Sequence, residues 1–228
     1  MSPSTKPFIF QTLLLLLASF IWGGDNFPDW GDELNFRSDL RKSALITNLP
    51  NPTGEDYFIG FRAAVGGFYS ESSETQTMPG ARISIYPSPG YNIWTQFSKW
   101  SGEQPAFSVG TGVQVEFPAE DIRTRQAIGL TWNEVYGTQY TQRDISVHAL
   151  LGRSGKSLGY GVIAVFNMQH TLVESGHDVT NFDESFIQGV PYINWMFGKT
   201  TRVSLKLPVD VEGVALDVSF EWLWGKRE

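Results

Sequence analysis

The chain has 228 residues, 41% of them hydrophobic, with 17 Lys+Arg against 24 Asp+Glu and a formal net charge of -7. That is apolar content enough for one sizeable folded domain, while an acidic balance without clustered Lys and Arg excludes nucleic acid as a partner, because phosphate neutralisation needs grouped cations. The absence of cysteine removes a disulfide scaffold, a thiolate zinc centre and a cysteine nucleophile together.

The first element is FIFQTLLLLLASFIW, which follows a short segment carrying Lys6. It is short for a bilayer helix, and Ala18, Ser19, Gly23 and Gly24 lie at or beyond its end, so residues 1–23 are expected to be a secretory signal peptide. Residues 24–55 have mixed periodicity and close on a Pro/Asn/Gly cluster; they read as a periplasmic leader or short helix outside the main sheet. An exported, aromatic-rich chain of this size with no cysteine fits a bacterial envelope protein. From Tyr57 the pattern changes to strands broken by turn residues, the mark of an all-β barrel or sandwich. Ten strands are predicted, at 57–69, 80–87, 91–100, 106–117, 126–137, 143–153, 158–172, 185–197, 202–211 and 214–224. They form one domain over 56–225, followed by a charged tail, 226–228.

The last two strands carry the clearest signal. VALDVSFEWLW alternates without a break, with Val214, Leu216, Val218, Phe220, Trp222 and Trp224 on one side, as a strand between two different surroundings requires. TRVSLKLPVDV alternates as well. A two-residue turn at Glu212-Gly213 would set Leu205 opposite Phe220 and Val203 opposite Trp222, with Ser204 opposite Glu221 and Lys206 opposite Ser219. The polar set Arg202, Ser204, Lys206, Asp210, Asp217, Ser219 and Glu221 then shares one face, which in a membrane barrel looks into the lumen. Pro208 removes a ladder donor from this strand, as Pro191 does from 185–197.

Connection lengths and aromatics set the orientation. Counting back from a periplasmic C-terminus puts the two longest connections, YSESSETQTMPG and VESGHDVTNFDE, on the outer side, where barrel loops are longer. Under that topology Tyr57, Tyr86, Tyr91, Tyr160, Phe197, Trp222 and Trp224 fall at inner strand ends, and Trp100 and Tyr136 at outer ends. These are the two interfaces that aromatic girdles occupy.

The terminal segment Asp217-Val218-Ser219-Phe220-Glu221-Trp222-Leu223-Trp224 resembles the C-terminal insertion signal of bacterial outer-membrane β-barrels, with Ser219 where the pattern has Gly and with GKRE continuing beyond the last aromatic. The resemblance is to a class. It implies residence in an outer membrane of the Gram-negative type, contact with outer-membrane lipid and lipopolysaccharide, and recognition of the last strand by the barrel-assembly machinery. It implies no catalytic residue.

Candidate chemistry is sparse. His148 has lumen parity and reads as a hydrogen-bonded interior residue before it reads as a general base. His170, Glu174 and Ser175 lie near an outer strand end, and His177 and Asp178 in the loop beyond, where a rim hydrolase would keep its site; ordinary polar loop decoration is the simpler reading. No calcium-loop pattern and no nucleotide-binding glycine loop is present, so no metal and no cofactor are expected. The glycines of VGTG and GYGV lie inside strands, as places of bending or close approach. The fold expected is therefore a closed antiparallel up-and-down transmembrane β-barrel of about ten strands behind a signal peptide, with a structural or interaction role or restricted passage of small solutes through a lumen plugged by polar side chains. Two readings stand beside it: an outer-membrane rim hydrolase using His170 or His177, and a secreted soluble β-sandwich that binds glycans.

Overall fold

The computed structural model describes residues 41, 44, 46, 57–69, 75–100, 106–117, 121, 123–155, 157–175, 178–211 and 213–226. The expected signal peptide and most of the expected leader lie outside them. Ten strands follow in chain order: β1 Ile59–Tyr69, β2 Thr75–Ile85, β3 Tyr91–Trp100, β4 Ala106–Phe117, β5 Thr124–Gly137, β6 Tyr140–Ser154, β7 Leu158–Ser175, β8 Asp178–Phe197, β9 Thr201–Lys206 and β10 Ala215–Trp224. Each pairs antiparallel with the next, and β1 pairs with β10 from Ile59↔Trp224 to Phe68↔Ala215, closing the sheet. One closed sheet replaces the two packed sheets of a sandwich. Closure removes the edge along the paired lengths of the strands, which is what a sheet needs if it is to lie in hydrocarbon.

Period-two alternation fixes what each side meets, and its polarity is inverted relative to a water-soluble protein. Along β6, Gln142, Asp144, Ser146 and His148 are buried while Ile145, Val147, Ala149 and Leu151 are exposed. The same inversion exposes Ile128, Leu130 and Trp132 on β5 and Val162, Phe166 and Met168 on β7. On β6 the outward apolar run is bounded by Arg143 and Arg153.

The register sets the barrel's shape. From Arg202 on β9, successive partners are Glu221, Arg62, Arg82, Gln96, Gly110, Asn133, Asp144, Gln169 and finally Glu184 on β8. The partner of Arg202 across the β8–β9 seam is Met196, so one circuit slips by the residues separating Glu184 from Met196, about 12. Ten strands with that stagger tilt by roughly 40° and close at a backbone radius of roughly 10 Å. At that tilt the step from Arg143 to Arg153 is about 25 Å high, the height of the apolar band of a membrane barrel. The end where β1 starts and β10 finishes is the base; the opposite end is the mouth.

Several boundaries differ from the sequence reading. β2 starts at Thr75, lengthening a strand expected from 80. β7 and β8 run to Ser175 and from Asp178, so most of the expected long loop VESGHDVTNFDE is a paired hairpin standing above the apolar band; its polar sequence hid strands that pair with each other and need no apolar face. β9 ends at Lys206, because Pro208 has no N–H to continue the ladder. The last hairpin is shifted by two residues: Leu205 meets Val218, Val203 meets Phe220, Ser204 meets Ser219, Lys206 meets Asp217 and Arg202 meets Glu221. The cause is a wider turn, in which Asp210 N–H donates to Gly213 O at 3.0 Å and Gly213 N–H to Asp210 Oδ1 at 3.0 Å. A slip of two keeps every side chain on its face, and here it sets opposite charges directly across from each other.

Candidate functional site in the barrel interior

On the β9, β10, β1, β2 and β3 side, the base half of the lumen is lined by a charged row that the register creates, facing a buried apolar cluster of Ala127, Leu150, Ile163, Val165, Val190 and Tyr192. Arg202, Glu221, Arg62, Arg82 and Gln96 stand on five neighbouring strands as successive partners, and all five are buried. Glu221 accepts from Arg202 Nη1 at 3.2 Å and from the Tyr86 hydroxyl at 2.9 Å. Arg62 Nη2 donates to Asp217 Oδ1, which also faces Lys206 Nζ at 3.9 Å. Arg82 Nε and Nη2 both donate to Gln96 Oε1, at 3.1 and 2.5 Å, and its guanidinium lies 5.1 Å from the Trp94 ring centroid. Trp94 can lie against β4 only because position 112 is glycine: a Cβ there would fall inside the indole. Beyond Trp94, His148 is buried, its ring 6.0 Å from the indole and its Nε2 3.2 Å from Gln114 Oε1.

The mouth half is built differently. Phe68, Met78, Trp100, Val135, Tyr140 and Phe186 make an apolar layer on the inner wall, and Ala44 and Ile46 pack into it. These two residues and Arg41 are helical and buried. A Cβ on Gly66 would collide with Ile46, so that glycine opens its seat. Arg41 Nη1 donates to Glu184 Oε1 at 2.5 Å and Nε to Asp210 Oδ2 at 2.7 Å, with the guanidinium 4.4 Å from the Phe186 centroid. Glu184 is on β8 and Asp210 in the β9–β10 turn. Beyond Lys206 those two sides are joined at the Gly189↔Val209 bridge and by Leu207 N–H donating to Pro191 O, leaving a notch flanked by Ile187, 69% exposed, and Val211, 90% exposed. Arg41 spans it from inside.

The polar set expected on one face of the last hairpin is on the inner wall: Arg202, Ser204, Lys206, Asp217, Ser219 and Glu221 are buried, and Asp210 has a fully buried side chain. Among the aromatics, Tyr91, Tyr160, Phe197 and Tyr136 are exposed on the outer wall, and Trp222 stacks on outward Phe61 at 5.9 Å. Tyr57, Tyr86 and Trp100 instead are buried inside: Tyr86 reaches Glu221, Tyr57 donates to Lys199 O, and Trp100 meets Phe68 edge-on at 5.7 Å. Position near a strand end suggested a girdle for these three; inward parity on β2 and β3 directs Tyr86 and Trp100 into the lumen, and the Lys199 carbonyl holds Tyr57.

The rim candidates do not assemble. His170 Nδ1 lies 2.6 Å from Asp183 Oδ1, but the pair faces outward, on the side opposite inward Gln169 and Thr171. Glu174 is exposed, the Ser175 and Asp178 backbones pair with each other, and His177 lies outside the described residues. Among the described residues no three His, Asp or Glu side chains are placed to hold a metal. What sequence reasoning missed is the row itself. Arg62 in IGFRAAV and Arg82 in ARISI are single cations at alternate positions among apolar neighbours, which is the available signal.

No family model and no curated protein matches the chain. Its backbone is similar to the solved N-terminal β-barrel domain of Pseudomonas aeruginosa OprF, at 10% identity and TM-score 0.33 over 75% of this chain and 100% of that one. It is similar also to the translocator domain of the autotransporter NalP from Neisseria meningitidis, at 11% identity and TM-score 0.39 over 85% and 95%. A third is the Acinetobacter baumannii outer membrane protein Omp33, at 8% identity and TM-score 0.36 over 75% and 100%. The likeness is one of barrel fold alone.

Proposed function

We propose that the protein is an outer-membrane barrel, base toward the periplasm, whose lumen is closed by its own side chains and which works as a structural and interaction element instead of an open diffusion channel. The observation that carries this reading is the buried charged row. Arg62, Arg82, Arg202, Lys206, Asp217 and Glu221 are all more than nine-tenths buried inside a wall whose outer surface is apolar. A barrel of ten strands leaves little beyond side-chain volume, since wide aqueous channels need nearer sixteen. In the outer membrane, the exterior row Glu134, Arg143, His170 and Asp183, which are successive register partners, would meet lipopolysaccharide at the upper margin of the apolar band. The last strand, carrying the insertion-like segment, would be read by the assembly machinery.

Membrane fractionation with boiled and unboiled detergent gels tests placement. An outer-membrane protein with a heat-dependent shift is expected, and a soluble monomer recovered without detergent would overturn the barrel reading. Planar-bilayer recording tests closure: no porin-sized steps are expected, and a stable open channel would overturn it. One observation favours a second reading, restricted passage. Side-chain atoms of Asn92, Ser146 and Gln188 are buried with no bonding partner among the described residues, and buried polar groups of this kind are ordinarily satisfied by water. A thread of water along them would let small ions leak through, seen as conductance far below that of a porin.

A further inference from the structure

We propose that the mouth-side part of β8, residues 181–188, is a docking edge that takes an extended segment of another protein as an added strand. β8 spans 20 residues, and β7 pairs with it from Trp195 up to Asp178. Its other neighbour stops short: β9 pairs from Phe197↔Thr201 to Tyr192↔Lys206, and above that the seam closes once more, at Gly189↔Val209. There Gly189 N–H donates to Val209 O at 2.9 Å and Val209 N–H to Gly189 O at 2.8 Å. Because backbone groups point to alternate sides along a strand, the odd-numbered residues of β8 face this seam. Above Gly189 these are Ile187, Ser185, Asp183 and Asn181, all exposed. Among the described residues none of the four has a backbone hydrogen bond on the seam side.

Such an edge calls for a partner. On a strand tilted by about 40°, Ile187 lies roughly 10 Å nearer the base than Asp183, inside the apolar band, where unpaired N–H and C=O groups are costly. Residues 181–188 also lack the usual protections of an exposed edge: they contain no Lys and no Pro, and their unbroken register with β7 excludes a bulge. The open groups recur every two residues and continue the line that β9 fills below, a pattern that an extended peptide matches. Its side chains would be apolar beside inward Phe186 and outward Ile187, next to exposed Val211, and basic beside Asp183, an exposed carboxylate whose side-chain contact is His170. A second copy of this chain does not fit, because either sense of β8–β8 pairing about a two-fold axis would tilt or invert one barrel relative to the other.

This edge belongs to the interaction role proposed above and rests on the closed-barrel reading. The heat-dependent gel shift of the full-length protein in detergent therefore comes first: its absence fails that reading, and its presence leaves the edge to be tested alone. The probe is a dye-labelled peptide of about eight residues, the length of the edge, alternating Val and Thr with a Lys near one end. A saturable rise in fluorescence anisotropy is expected with the wild type. Methylating one alternate set of the peptide's amide nitrogens should abolish binding and methylating the other set should leave it, because a strand offers only every second amide to its neighbour. Ser185→Pro removes a seam-side donor without touching the β7 ladder and should weaken binding about tenfold. Absence of saturable binding, or equal binding by the two methylated peptides, overturns the proposal even if that variant fails to fold, and undiminished binding by a folded Ser185→Pro variant overturns it as well. Binding that appears only after residues 24–36 are deleted would also overturn it, by assigning the edge to the chain's own leader.

Discussion

The two halves of the barrel interior are stabilised by different means. At the base, charges on adjacent strands compensate one another: Arg202 with Glu221 and Lys206 with Asp217 are register partners on β9 and β10, and Arg62 reaches Asp217 from β1. At the mouth, the wall supplies an apolar layer and two acidic groups, and the compensating cation is Arg41, 143 residues before Glu184 and 169 before Asp210. Local register supplies these pairs at the base. The mouth depends on a segment that joins it from outside the sheet, so the base should tolerate changes at the mouth while the mouth has no equivalent reserve.

The strongest way to break the base is Asp217→Asn. It leaves Arg62 and Lys206 buried without their carboxylate, a change that typically costs about 3–5 kcal/mol. Unfolding in denaturant after detergent refolding should show a loss of that size, with Ser219→Ala on the same face nearly neutral. A loss below about 1 kcal/mol would mean that the row is not what holds this half together.

The next effect belongs to the outer wall that both halves share. Val147 is exposed midway between Arg143 and Arg153, so Val147→Arg should cost about 2–4 kcal/mol if that surface meets hydrocarbon at mid-depth. Reduced insertion into vesicles is the readout. Normal assembly at wild-type yield would place that surface in water and remove the membrane from the account.

The contrast between halves also explains what the sequence disclosed. Strict alternation in VALDVSFEWLW and TRVSLK made the base-side strands and their polar face readable, because both sides of the sheet demand a consistent residue class. The two-residue shift in the last hairpin was not readable, since it leaves every side chain on its face and depends on how Asp210 folds the turn. β7 and β8 above the apolar band escaped for the opposite reason: with no hydrocarbon to meet, Glu174, Asn181 and Asp183 carry no alternating signal. Arg62 and Arg82 could be suspected singly, but their meeting is a property of the β1–β2 register. The seat of Arg41 has no local signature, because its partners come from the far end of the chain.

A smaller effect should separate the halves directly. Arg41→Gln removes one buried donor from each of two carboxylates, in the range of about 1–3 kcal/mol, and acts where the wall is already notched. Limited proteolysis should cut the region around residue 41 faster in the variant while the heat-dependent gel shift of the barrel is retained. Protection equal to the wild type would assign the seat to Ala44 and Ile46 and their apolar layer alone.

The smallest effect is expected at His170. Its contact with Asp183 joins a half-exposed side chain to an exposed one on the outer surface, and such pairs contribute about 0–1 kcal/mol. His170→Ala should therefore leave assembly, the gel shift and the unfolding midpoint of both halves unchanged. Under the closed-barrel reading it should also leave ester, lipid and peptide turnover at background, as in the wild type. Wild-type hydrolysis lost in this variant would transfer function from the interior to the rim.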